Sequence, residues 1–262
     1  MSTSAPSRVA IELGVIGALW RRDMIRLFRE RTRWLGVILQ PMMFWVLLGV
    51  GMGDTFILKG AEDVDYLTFF FPGVIVMIVL FTTVFATMAV IEDRQQGFLQ
   101  QLLVGPSSRG AMVAGKTAGV TSVALLQGAL CLLAAPLAGF DLGGIDWLGL
   151  LLSLTLGCIG LTGLSFAIAW KLGSTHAYHG IMAVVLLPLW MVSGAMFPPR
   201  GGWMDALMWA DPMTWMVDGV RHALHGGTAP VSLMSPLVSW GMLTLFAVVA
   251  FIAAARTARR SP

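Results

Sequence analysis

The chain has 262 residues, 57% of them hydrophobic and only 12% charged, with a mean hydropathy of +0.80. A soluble domain carries about 25% charged residues, so the composition excludes one and reads as a single all-α membrane domain, 1–262. The net charge of +3 is sorted by side along the chain and is not the footprint of a nucleic-acid binder.

The first element spans residues 8–33. Arg22, Arg26, Arg29 and Arg33 share one helical face, while Leu13, Ile16, Trp20, Met24 and Leu27 fall on the opposite one. This predicts an amphipathic interface helix lying in the headgroup layer of membrane lipid. It is either an anchor that holds the N-terminus inside or an elbow that cradles a partner.

A six-span core, 34–255, follows. Residues 34–53, 67–91, 117–139, 147–169, 180–197 and 237–255 contain no charged side chain. Each is long enough for a hydrocarbon core that takes about 17–25 helical residues. Backbone amides in lipid must be bonded within the segment, so these are predicted helices; the alternation of a membrane barrel is absent. The first span begins after a basic segment and is full length, so it reads as an uncleaved anchor. Cys131 and Cys158 fall inside spans as small apolar residues, with no disulfide or metal site expected.

Fourteen of the seventeen Lys and Arg lie before the first span, between the second and third, between the fourth and fifth, and after the sixth. The opposite side holds Lys59, Arg200 and Arg221. Positive charge marks the cytoplasmic side, so both termini are expected there. The spans carry no ionisable group, and their strongest polar side chains are Gln40 and Gln127. This argues against ion-coupled transport and against a membrane-embedded hydrolase. Gly149, Ser153 and Gly157 recur every fourth residue and predict a close-packing face. Pro188 predicts a kink in the fifth span.

The longest polar break on the basic side is EDRQQGFLQQLLVGPSSRGAMVAGK, residues 92–116. Phe98, Leu99, Leu102 and Leu103 form an apolar ridge suited to a groove. Glu92, Asp93, Arg94 and Arg109 supply orienting charge, and Pro106 ends the helix. Residues 110–117 also satisfy G-x-x-x-x-G-K-S/T. That motif binds phosphate only between a buried strand and a helix N-terminus. Here a proline-containing turn precedes it and a span follows, so Lys116 reads as a snorkelling anchor. Asp218, His222 and His225 share a helix face, read as an incidental polar face in preference to a metal site.

These segments together resemble the permease subunit of type-2 ABC exporters. FFFPGVIVMIVLF is similar to the family's F-x-x-P-G opening of the second span. Residues 92–116 are similar to its E-x-R-x-x-G-x-L-x-x-L-L-V-x-P-x-S-R followed by G-K. SGAMFP and ADPMTWMVDGVRHALHG resemble its S-G-x-x-F-P and N-P-L-T-Y-x-V-D-x-x-R, with Asp211 for the usual Asn and Trp215 for the usual Tyr.

The resemblance implies an ATP-driven permease of the bacterial cytoplasmic (inner) membrane. Residues 92–109, including Gly97, would form a coupling helix that docks into a separate ATPase subunit. Residues 191–224, with Pro198, Asp211, Pro212, Trp215, Asp218 and Arg221, would form an outer re-entrant hairpin. ATP and Mg would sit in that partner and no cofactor in this chain. A second copy or a similar permease would complete an alternating-access pathway for an amphipathic, drug-like or lipid- or saccharide-linked substrate. The rival expectations are a non-transporting membrane scaffold, which needs no docking loop, and an ATP-independent carrier.

Overall fold

The computed structural model describes residues 7–53, 64–97, 108–227 and 229–260, without the side chains of residues 27, 28, 31–34 and 260. All regular structure among them is helical. The helices are α1 (Arg8–Arg29), α2 (Arg31–Met52), α3 (Tyr66–Gln95), α4 (Arg109–Leu132), α5 (Trp147–Lys171), α6 (Thr175–Trp190), α7 (Trp203–Ala210), α8 (Pro212–Leu224) and α9 (Pro236–Arg260). Five are long and apolar enough to cross a membrane: α2, α3, α5, α6 with its extension to Ala195, and α9.

The predicted third span differs from expectation. It belongs to α4, which is not among the five. Lys116, Gln127 and the glycines at 110, 115, 119 and 128 dilute its apolar character. The helix also stops at Leu132 and not at 139, because Pro136 starts a separate 3-10 turn over Ala135–Ala138.

The N-terminal element also differs. The expected 8–33 helix ends at Arg29, and Arg33 falls in the first turn of α2. Glu30 leaves the helical region at φ −95°, ψ 55°. The break falls where the sequence changes from two-faced to apolar all round, because one straight helix cannot lie in an interface and enter hydrocarbon together.

α3 is the central post. Asp65 caps its start by accepting from the Thr68 amide at 2.8 Å, and residues 69–80 are all buried. It packs against α2, α4, α5, α6 and α8. The hydroxyls of Thr82, Thr83 and Thr87 donate to carbonyls one turn back, so their burial leaves no polar group unmet.

The small-residue face of α5 is used as expected. Ser153 lies against Gly219 and accepts from Trp240 Nε1 at 2.9 Å, while Gly157 meets Met216. This brings α8 and α9 onto α5. The fifth span carries Pro188 inside a helix that runs to Trp190. After Trp190 the chain makes a wide π turn over Met191–Ala195, with Gly194 at φ 79°. That turn sits on Gly73, where an added Cβ would lie 2.6 Å from the Ala195 Cβ. Pro188 is carried inside α6, and the left-handed glycine is where the helix ends.

Candidate functional site

The site is the end of the bundle where α3 stops and α4 starts. α3 continues past the span to Gln95, so Glu92, Asp93 and Arg94 belong to its last turns and not to a separate loop helix. Gly97, at φ 76°, follows the cap residue Gln96 in a left-handed conformation that ends a helix. α4 begins when Ser108 accepts from the Ala111 amide at 3.1 Å. Of the predicted ridge, Phe98, Leu99, Leu102, Leu103 and Pro106 lie outside the described residues.

Both flanks of this segment are tied down. Arg22 of α1 pairs with Asp93, and Arg26 reaches Glu92 at 3.0 Å and Glu30 at 2.7 Å. Two members of the basic stripe therefore face acids of this chain. Arg29 is exposed, and Arg33 is described by its backbone alone.

α1 crosses α4 closely. A Cβ on Gly115 would lie 3.1 Å from Ile16 Cα, and one on Gly119 2.6 Å from an Asp23 carboxylate oxygen. Only glycine admits this approach. It brings Asp23 to Lys116, whose ammonium donates to both carboxylate oxygens at 3.1 Å. The two side chains are 9% and 10% exposed. Lys116 is thus a buried ion-pair partner and not a snorkelling anchor. The phosphate-loop pattern lies within α4: Ser108 takes the amides of Ala111 and Met112 and the later amides of the pattern lie in the helix ladder, so no loop of free amides surrounds a phosphate.

The remaining polar groups cap other helices. Arg94 donates to the Trp170 carbonyl at 2.8 Å and Gln95 to that of Gly173 at 2.9 Å, at and just beyond the end of α5. Arg109 donates to the Ala258 carbonyl at 2.6 Å, in the last turn of α9. Cations are favourable at helix C-termini, whose last carbonyls lack intrahelical donors. Sequence reasoning assigned Arg94 and Arg109 to a partner; the structure gives each an acceptor within the chain. Asp23 was missed, although it is an acid set directly among Arg21, Arg22 and Arg26 of α1.

The opposite end holds a second polar cluster. Asp211 caps α8, accepting from the Met213 amide at 3.0 Å, with Pro212 in the first turn where a missing N–H costs nothing. Burial pushes its carboxyl up to about 7, against the pull of the Met213 amide and the Thr214 hydroxyl. Trp215 donates to the Trp209 carbonyl at 2.9 Å, fixing α7 to α8.

Asp218 and Arg221 form a pair at 3.2 Å with 2% and 3% of their side chains exposed. Asp218 also accepts from the amides of Leu233 and Met234. Arg221 donates to the Gly194 carbonyl at 2.7 Å and stacks 4.7 Å above the Phe69 ring. The π turn, α3 and α8 are thereby locked together. Burial pushes the Asp218 carboxyl up, and Arg221 and the two amides pull against it.

His222 accepts from the Ala229 amide on Nδ1, so Nε2 carries the proton and donates to the Met234 carbonyl at 2.7 Å. His225 lies 2.8 Å from the Arg221 carbonyl through Nδ1, and burial pulls its pKa down. Among the described residues no group of three or more His, Cys, Asp or Glu is placed to hold a metal. Pro198 lies in the turn before α7.

Residues 14–225 match the family described as "ABC-2 type transporter". The chain is 26% identical to the daunorubicin resistance ABC transporter permease protein DrrB1 of Streptomyces coeruleorubidus, over 92% of this chain and 86% of that one. It is 27% identical to nodulation protein J of Rhizobium meliloti (strain 1021), over 93% and 92%.

Proposed function

The chain belongs to the ABC-2 type transporter family, and from that premise we propose that this integral membrane permease is the transmembrane subunit of an ATP-driven exporter. It works as one domain in the bacterial inner membrane, with both termini in the cytoplasm and α4 as a sixth span. Residues 98–107 dock into a groove of a separate ATPase subunit that holds ATP and Mg. Two permease chains line the pathway, and the outer cluster around α7 and α8 forms a re-entrant hairpin. The substrate is amphipathic, in keeping with apolar spans and with a relative named for resistance to daunorubicin.

The observation that carries this reading is the anchoring of both flanks of residues 98–107. Five side chains on the flanks, from Glu92, Asp93, Arg94, Arg109 and Lys116, bind α1, α5 and α9. A surface loop with no mechanical duty needs no such framing. A loop that receives force from outside does, because force on a slack segment is lost. The free energy for transport enters through this contact.

The test is co-purification and transport. Leu102→Asp places a charge on the ridge, where interface anchors each contribute on the order of 1–3 kcal/mol. It is expected to release the ATPase or to uncouple hydrolysis from transport, with the membrane domain still folded. Full assembly and normal coupled transport would instead favour the scaffold.

A further inference from the structure

α2 is the least covered of the five long apolar helices, with 22% of its apolar stretch buried. It is held to the rest of the chain along one stripe, Val37, Pro41, Trp45 and Gly49, spaced every fourth residue. Gly36, Gln40, Met43, Leu47 and Val50 are all exposed. Their spacing of 4, 3, 4 and 3 is that of a seam between two helices. At about 100° per residue the seam is centred about 160° from the buried stripe, so it faces away from its own chain.

That geometry is not peculiar to α2. Gly241, Leu245, Val248 and Ile252 of α9 are spaced and exposed in the same way. The polar side chains separate the two faces. In the charge-free stretches of the five helices, the exposed hydroxyl or amide side chains among the described residues are Gln40 and Thr244. Thr244 donates to the Trp240 carbonyl at 2.7 Å within α9, so that face meets lipid with its hydroxyl satisfied. Gln40 makes no hydrogen bond with any described residue. It lies about 14 Å along α2 from Arg31, well inside a hydrocarbon core of about 30 Å. Acyl chains offer its amide neither donor nor acceptor.

We propose that the Gln40 face of α2 is a self-association surface, taken by the same face of a second copy of this chain. An amide carries both donors and an acceptor, so it is complementary to itself. Two copies inserted in the same sense are related by a two-fold axis along the membrane normal, which sets like residues against each other. The two Gln40 amides then bond across the axis. An added Cβ on Gly36 would meet nothing within 4 Å, so the backbones can close there. A single polar side chain in an apolar seam also fixes register, which gives the pair one alignment. The proposal rests on the two-chain exporter reading given above and names the surface through which the chains meet.

The test begins with disulfide crosslinking of the full chain in lipid vesicles, with the buried Cys131 and Cys158 replaced by alanine. Single cysteines at 40, 43 and 47 are expected to crosslink at least tenfold faster than those at 44 and 46. Phe44 and Val46 are equally exposed but lie about 80° to either side of the seam. Cysteines at 245 and 248 of α9 should be no faster than these two. Dimer fraction is then read by single-molecule photobleaching at falling protein-to-lipid ratio. Gln40→Leu should need about tenfold more protein per lipid to reach half dimer. Gln40→Asn keeps the amide and should recover much of that loss. Both changes fall on an exposed face and leave the packing of α2 on α3 intact.

Crosslinking at 44 or 46 as fast as at 43, faster crosslinking at 245, or a Gln40→Leu chain that dimerises as well as the unmodified one would each overturn the proposal. So would an absence of crosslinks along α2, which leaves the face to lipid. Any of these results alongside intact coupled transport sinks the surface alone. The expected crosslinks in a chain that recruits no ATPase sink the exporter reading alone.

Discussion

Lys116→Met should be among the most damaging single changes at the basic end. The ammonium contacts both oxygens of Asp23 at 3.1 Å, and each side chain is about nine-tenths covered. Methionine keeps the stem and removes the charge. Asp23 is then a carboxylate pressed against Gly119 with its cation gone. Breaking a buried pair by removing one partner costs about 3–5 kcal/mol, a fall in Tm on the order of 10 °C for a domain of this size. The comparison variant is Arg26→Gln. Its pairs with Glu30 and Glu92 involve side chains about one-third exposed, where each pair contributes about 1 kcal/mol or less. The double variant Asp23→Leu with Lys116→Met removes both charges together, and should recover most of the loss. The assay is thermal unfolding of five purified proteins in one detergent, the unmodified chain, Lys116→Met, Arg26→Gln, Asp23→Leu and the double variant, with limited proteolysis to follow release of α1. A loss in Lys116→Met no larger than in Arg26→Gln, or a double variant that loses the sum of its singles, would refute a buried, mutually dependent pair.

Other outcomes follow from the same geometry. Asp211 has a carboxyl at about 7 when folded against an ordinary 3.8, so the folded state holds the proton more tightly. Stability is therefore lost as pH rises from about 4 through about 7. Asp211→Asn keeps the cap and should leave Tm unchanged near pH 4 while gaining toward pH 8, by at most roughly 4 kcal/mol; a gap that does not change with pH contradicts this. Gly115→Leu should detach α1 from α4, since the Ile16 backbone leaves no room, and should be read as faster cleavage of α1 by protease. Cysteine labelling in intact cells should find position 100 and the C-terminus protected and position 202 accessible; outside labelling of position 100 would reverse the topology.

Five spans were legible in the sequence because hydrocarbon leaves no other way to satisfy a backbone, so composition alone suffices. α4 shows where this stops. Its predicted span avoids Lys116 by starting at 117, yet the helix begins at Arg109 and carries the lysine inside. The helix is admitted by a partner, Asp23, some ninety residues away, and no local pattern announces it. The arginine stripe of α1 was legible as a face, but its object was not. Charged side chains of unknown partner read as solvent- or partner-facing, whereas Arg22 and Arg26 meet Asp93 and Glu92 of the same chain. The end of α6 was not legible, because it depends on a left-handed residue, Gly194, that turns the path there.

The arginine and glutamine contacts at the ends of α5 and α9 have a mechanical consequence. α5 and α9 pack along each other and reach α8 at the far end. A displacement applied between Gln95 and Arg109 is therefore delivered to the tips of two long rods held side by side. α5 has 25 residues, or about 38 Å of rigid length. A tilt of about 5° over that length swings the far tip by about 3 Å, more than half a helical turn. Under the proposed docking, the chain would be a lever whose short arm is a pair of hydrogen-bonded helix ends and whose long arm carries α8.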